Sequence, residues 1–126
     1  MKTNKDPRHL ERVRVMQQLF AWDFDPEGKV EENGERLLKT TAIIDHIAEI
    51  DPEIKEAATE RPLADINKID FAVLRQAIYE LLIGKDVPVK VVVDEAVEIG
   101  KEYGTDTSGS FINGVLGKII EKHKIA

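Results

Sequence analysis

The sequence predicts an all-α fold, a compact bundle of six to seven helices, and three observations predict it. Apolar residues recur at helical spacing through the last third of the chain, as in Leu74, Ala77, Ile78 and Leu81. The prolines, with Gly84 and Gly104, fall at the ends of these stretches or between them: Pro7, Pro26, Pro52, Pro62 and Pro88. The one strand-like run, Val91-Val92-Val93, is too short to outweigh the helical pattern around it.

The first helix is expected from Asp6-Pro7 to about Phe24, with Asp6 capping and Pro7 in the first turn. Leu10, Val13, Gln17 and Phe20 share one face, and Arg8 and Arg12 lie opposite. Asp25–Gly28 reads as a turn. A second helix is expected over 31–49, with Leu37, Leu38, Ile43, Ile44 and Ile47 as apolar candidates. Asp51-Pro52 would open a short third helix, ended by Arg61-Pro62. The fourth spans about 70–83, with Gly84 as its stop. The fifth runs from Pro88 to Tyr103 and carries Val89, Val92, Val93, Ala96, Val97 and Gly100 on one stripe. Gly100 would let another helix approach closely. Thr107 or Ser108 caps the sixth, with Ile112, Val115, Leu116 and Ile119 inward.

The 126 residues suffice for one domain, taken as 1–126. Cysteine is absent, which removes disulfides, thiolate metal sites and cysteine nucleophiles. No apolar run reaches the roughly 20 residues of a membrane span, and the polar N-terminus has no signal-peptide core. The cytoplasm is the expected location. The net charge of -6 is unevenly placed. Residues 1–14 hold five bases (Lys2, Lys5, Arg8, Arg12, Arg14) against two acids, whereas residues 15–80 hold seven bases against fifteen acids. An acidic body with a basic end implies modest, salt-sensitive affinity for nucleic acid on its own.

No catalytic constellation is present. The residues three before His9, His46 and His123 are Asp6, Ile43 and Ile120, so the Glu-x-x-His pairs of a di-metal bundle are missing. Ser108 and Ser110 lack a Gly-x-Ser-x-Gly setting, and no phosphate-binding glycine fingerprint occurs. The chain is therefore expected to be no enzyme and to hold no metal or cofactor. Glu98 and Glu102 read as a solvated helix face beside Lys101. Arg8, His9 and Arg12 share an arc of the first helix, preceded by Lys5 and Lys2. Guanidinium groups on adjacent turns can grip successive phosphates, although an exposed polar helix start is the more frequent meaning of such a pattern. Tyr103 and Phe111 flank the 104–110 loop, where they can stack on single-stranded bases.

Five segments in order carry a family resemblance: Ala-Val-Leu-Arg at 72–75, Tyr-Glu-Leu at 79–81, Asp-Val-Pro at 86–88, Asp-Glu-Ala at 94–96 and Phe-Ile-Asn-Gly-Val-Leu at 111–116. Gln17, Leu19, Phe20 and Trp22 agree more loosely. In these the chain resembles the NusB family of bacterial transcription antitermination factors. The resemblance implies binding of a boxA-type single-stranded RNA together with the ribosomal protein that doubles as NusE, within the RNA polymerase antitermination complex that supports ribosomal RNA transcription. It also implies RNA contacts from Lys5, Arg8, His9 and Arg12 and from Thr107, Ser108 and Phe111, with Asp70 and Glu80 toward the NusE-type partner. Two alternatives stand beside it. One is an RNA-targeting accessory domain related to ribosomal RNA methyltransferases; the other is a structural homodimer that binds no RNA.

Overall fold

The computed structural model describes residues 6–27 and 35–125. Among them are six α-helices and no strand. Helix α1 is Pro7–Phe24, and Asp6 caps it as expected, accepting from the Arg8 N–H at 2.9 Å. Its inward face differs from the expected one. Leu10 and Gln17 are exposed; Val13 is buried as expected, and His9, Met16 and Gln18 are buried with it. The polar Gln18 can be buried because both ends of its amide are satisfied. Its Nε2 donates to the Glu35 carbonyl, and its Oε1 accepts from the Leu37 N–H at 3.0 Å and the Thr40 hydroxyl at 2.7 Å.

The single helix expected over 31–49 is two helices where it is described, and residues 31–34 lie outside the described part. α2 is Leu38–Asp45 and α3 is Ile47–Ala57. The break is at His46, whose ring Nδ1 lies 2.7 Å from the Ala42 carbonyl. A continuous helix would give that carbonyl to the His46 N–H, which bonds the Ile43 carbonyl instead. Pro52 therefore sits inside α3 rather than opening a new helix. Its ring costs one backbone bond, and Ile50, Ile54 and Ala57 hold the helix by burial. Leu38, expected inward, is 91% exposed.

A 3-10 turn, Leu63–Asp65, leads to α4, Lys68–Tyr79, which starts two residues before the expected Asp70. Asn67 is its cap: Oδ1 accepts from the N–H of Ile69 at 2.8 Å. α4 is the central element, and every residue from Asp70 to Ile78 is buried. Its end widens into a π-helical turn, Glu80–Gly84, closed by the Lys85 N–H on the Glu80 carbonyl at 3.0 Å. The left-handed residue is Lys85 (φ 56°), not Gly84. Gly84 serves a different need, since a Cβ there would meet the Tyr79 ring at 3.2 Å.

α5, Val89–Tyr103, and α6, Ser108–His123, pack against each other and against α4. The expected stripe of α5 holds for Val92, Ala96 and Gly100, and it also includes Ile99 and Glu95. Gly100 permits the close approach: a Cβ would lie 2.4 Å from Ile112 Cδ1. All four inward residues expected on α6 are buried. Thr107 occupies the cap position without a capping bond, its hydroxyl lying 3.2 Å from that of Thr105, and the Ser108 hydroxyl accepts from the Thr105 N–H at 2.8 Å. No described helix is long and apolar enough to cross a membrane.

Candidate nucleic-acid interface

The basic start of α1 docks on α5 and on the π turn. Arg8 is exposed (side chain 87%) and only loosely paired with Asp6, at 4.0 Å. His9, one residue on, is 2% exposed. Its Nδ1 lies 2.9 Å from Glu95 and its Nε2 lies 2.8 Å from Glu102. Glu102 is therefore not simply a solvated face; it anchors α1 to the last turn of α5. Arg12 is also largely buried. One guanidinium nitrogen is 3.2 Å from Glu80 and another is 3.9 Å from Glu95. Lys39 of α2 completes the set by pairing with Glu80. Arg12 Nε and Gln76 Nε2 have no partner among the described residues. Both line a cavity of about 10 Å³ shared with Glu80 and Glu95, room for a single water.

The second region expected to face RNA follows directly on α5. Tyr103 is exposed, and Gly104 lets the chain turn, because a Cβ there would fall 2.2 Å from Ser108 Oγ. Thr107 is exposed, whereas Ser108 is buried and organises the loop from within. Phe111 is half-buried, with the Arg61 guanidinium 4.2 Å above its ring. Phe111 and Ser110, with Gly114 and Lys118 of α6 and the 57–60 segment, line a groove of about 230 Å³.

The expected site residues thus divide by exposure. Arg8, Thr107 and one face of Phe111 are at the surface. His9, Ser108, Asp70 and Glu80 are interior, and Arg12 is nearly so. In this conformation the interior four do not present their side chains to a ligand. Lys5 lies outside the described residues. Asp70, 2% exposed, has Oδ1 without a partner among the described residues. Burial pushes its carboxyl above the usual range, and the Ser108 hydroxyl and the Arg61 charge only partly offset this.

The roles of Glu95, Glu102, Lys39 and Arg61 escaped the sequence reading. Glu95 gave a faint signal, an acid on the Val92–Ala96–Ile99 stripe that needs a partner if buried. Arg61 stood only as half of a helix-breaking Arg-Pro pair.

The sequence model of the NusB family matches residues 38–121. The chain belongs to the NusB family. Curated relatives agree along almost the whole length. The transcription antitermination protein NusB of Agathobacter rectalis is 37% identical over 85% of this chain and 94% of its own. That of Thermotoga maritima is 35% identical over 94% of each. The solved structure of T. maritima NusB superposes with a TM-score of 0.78 at 34% identity, covering 97% of this chain and 94% of that one. A crystal structure of the antitermination factors NusB and NusE in complex with double-stranded RNA shares the fold, with a TM-score of 0.74 at 23% identity over 93% of this chain and 99% of that one.

Proposed function

We propose that this NusB-family chain is a transcription antitermination factor that binds boxA-type single-stranded RNA jointly with a NusE-type ribosomal protein, as part of an RNA polymerase antitermination complex. It acts in the cytoplasm as one domain, residues 1–126, and catalyses no reaction. The observation that carries the reading is the docking of α1 on the end of α5 through His9 and Glu102. It sets the exposed Arg8 on the helix turn that is tied to Glu102, two residues before the 104–111 segment. Arg8, Lys5, Thr107 and Phe111 are the proposed RNA contacts. His9, Arg12 and Ser108 support them from beneath. Asp70 and Glu80 shape the face that meets the ribosomal partner, whose basic surface suits an acidic body.

Fluorescence anisotropy of a labelled boxA-type RNA tests this, with the protein alone and with its NusE-type partner at two salt concentrations. The mixture is expected to bind more tightly than either protein. Phe111→Ala is expected to weaken it by about 1–3 kcal/mol, the worth of one stacked base. Equal affinity in the mixture and in the separate proteins would refute the joint-binding reading.

A further inference from the structure

The ring of His9 is held from both edges by carboxylates on α5: Nδ1 is 2.9 Å from Glu95 Oε2 and Nε2 is 2.8 Å from Glu102 Oε1. A neutral imidazole has one N–H and one lone pair. In either tautomer one carboxylate would face a lone pair at hydrogen-bond distance in a site that water scarcely enters. Only the imidazolium presents an N–H to each and carries the positive charge that pairs with both. We propose that His9 is a charged clamp between α1 and α5, a positioning residue rather than an RNA contact, and that its deprotonation as pH rises weakens RNA binding at the neighbouring exposed residues. The inference deepens the function proposed above and rests on it.

The groups facing His9 fix the direction of the effect. From α5 they are Glu95 and Glu102. From α1, Arg12 shares Glu95 at 3.9 Å. Beyond Arg12 stands Glu80 of the π turn, which also holds Lys39 of α2. At the helix start are Arg8 and Asp6. With His9 charged, the buried carboxylates Glu80 and Glu95, together with Glu102, are matched by Arg12, Lys39 and His9. With His9 neutral, one negative charge is left without its counterpart. Glu102, 29% exposed, is the group able to turn outward. Both consequences oppose a phosphate backbone. A carboxylate is freed against His9, the chain neighbour of Arg8, and the first turn of α1 loses its anchor.

Burial alone would lower the His9 pKa. The Glu95 hydrogen bond and the charges of Glu102 and Glu95 outweigh that and hold it above the ordinary histidine range. The clamp's contribution is therefore complete below the ordinary value and is lost as pH rises through the raised one.

The test pairs two measurements on the full chain. An NMR titration of isotope-labelled imidazoles reads the His9 ring directly, its signals assigned apart from those of His46 and His123. Anisotropy of boxA-type RNA with the NusE-type protein is followed from about pH 6 to pH 9, the span in which histidines titrate. Both His9 nitrogens should carry protons at neutral pH. RNA affinity should fall by roughly 3- to 10-fold, the effect of about one unscreened charge, with the midpoint seen by NMR. His9→Arg, permanently charged, should bind RNA without that step. Glu102→Gln, a change at a partly exposed residue, should move the ring midpoint and the RNA midpoint down together.

A singly protonated ring at neutral pH in a chain that still binds RNA overturns the clamp alone. An unchanged pH step in His9→Arg, or midpoints that move apart in Glu102→Gln, overturns the link to RNA. RNA binding absent at every pH, with a doubly protonated ring, defeats the functional reading and the inference drawn from it.

Discussion

Replacing Arg75 with Ala should be among the most damaging single changes outside the apolar core. Arg75 is buried in α4 and spans three helices. Its Nε and Nη2 bond the two oxygens of Asp51 in α3 at 3.0 and 2.9 Å, and Nη1 bonds Asp23 near the end of α1 at 3.1 Å. The guanidinium lies 4.0 Å from the Phe71 ring centre and 5.5 Å from that of Trp22. Truncation removes every one of these contacts. It leaves Asp51 without its bidentate partner and Asp23 with Lys68, at 3.0 Å. Breaking a buried ion pair from one side costs about 3–5 kcal/mol. For a domain of this size that corresponds to a melting point lower by about 10–20 °C. Arg75→Lys keeps the charge but loses the fork, and should cost about 1–3 kcal/mol. Urea and thermal unfolding followed by far-UV circular dichroism measure both. If Arg75→Ala lost less than about 1 kcal/mol, the idea that this residue ties α1, α3 and α4 together would be wrong.

Other expectations follow from the same structure. Gly104→Ala should destabilise by about 1–3 kcal/mol, because its Cβ would collide with Ser108 Oγ at 2.2 Å and with the Gly100 carbonyl at 2.8 Å. Gly117→Ala should stabilise by about 0.5–1 kcal/mol, since nothing lies within 4 Å and the glycine is inside α6; urea midpoints compare the two. Burial would raise the Asp23 carboxyl, but Lys68 and Arg75 outweigh it; burial would likewise raise Glu53, but His123 and Lys122 outweigh it, so both carboxyls end below the usual range. Their contribution is present above the ordinary carboxylate pKa and is lost as pH falls through the depressed values. Asp23→Asn should therefore flatten the acid limb of the stability–pH curve, and an unchanged limb would count against it. Asp70→Asn should leave stability at neutral pH unchanged or raised, because it removes a charge that burial opposes; a loss above about 1 kcal/mol would contradict this.

Helices α4, α5 and α6 were legible because each is punctuated and carries apolar residues at helical spacing, so that spacing alone names Leu74, Ile78, Val92, Ile112 and Leu116 as interior, although it does not show that α4 is buried all round. The middle of the chain was not. Two helices meet at His46 through a side-chain bond to Ala42, and Pro52 is carried inside a helix by burial of its neighbours, neither of which has a periodic signature. Of the residues proposed for the interface, burial was the part that spacing did not show. His9 and Arg12 share an arc with Arg8, and periodicity reports that arc correctly. It cannot report that acids 86 and 68 positions away wait beneath it. Arg75 stood inside a recognisable motif, but its partners Asp51 and Asp23 come from other helices and could be known only from the fold.

The wide turn at the end of α4 has a consequence for how the chain tolerates changes in length. A π turn holds one residue more than the α turn that would replace it, so Glu80–Gly84 stores a removable residue at a helix end. Deleting Leu82 or Ile83, both only half-buried, would let the segment tighten to α-helical bonding and leave Asp70–Ile78 in place. What would change is the departure point of the chain toward α5, displaced by about 1.5 Å along the axis and about a quarter turn around it. Glu95 and Glu102 of α5 would shift with it, and with them the grip on His9 and Arg12. The same turn thus forms a joint where α5 can be re-aimed against α1 without disturbing the centre of the bundle.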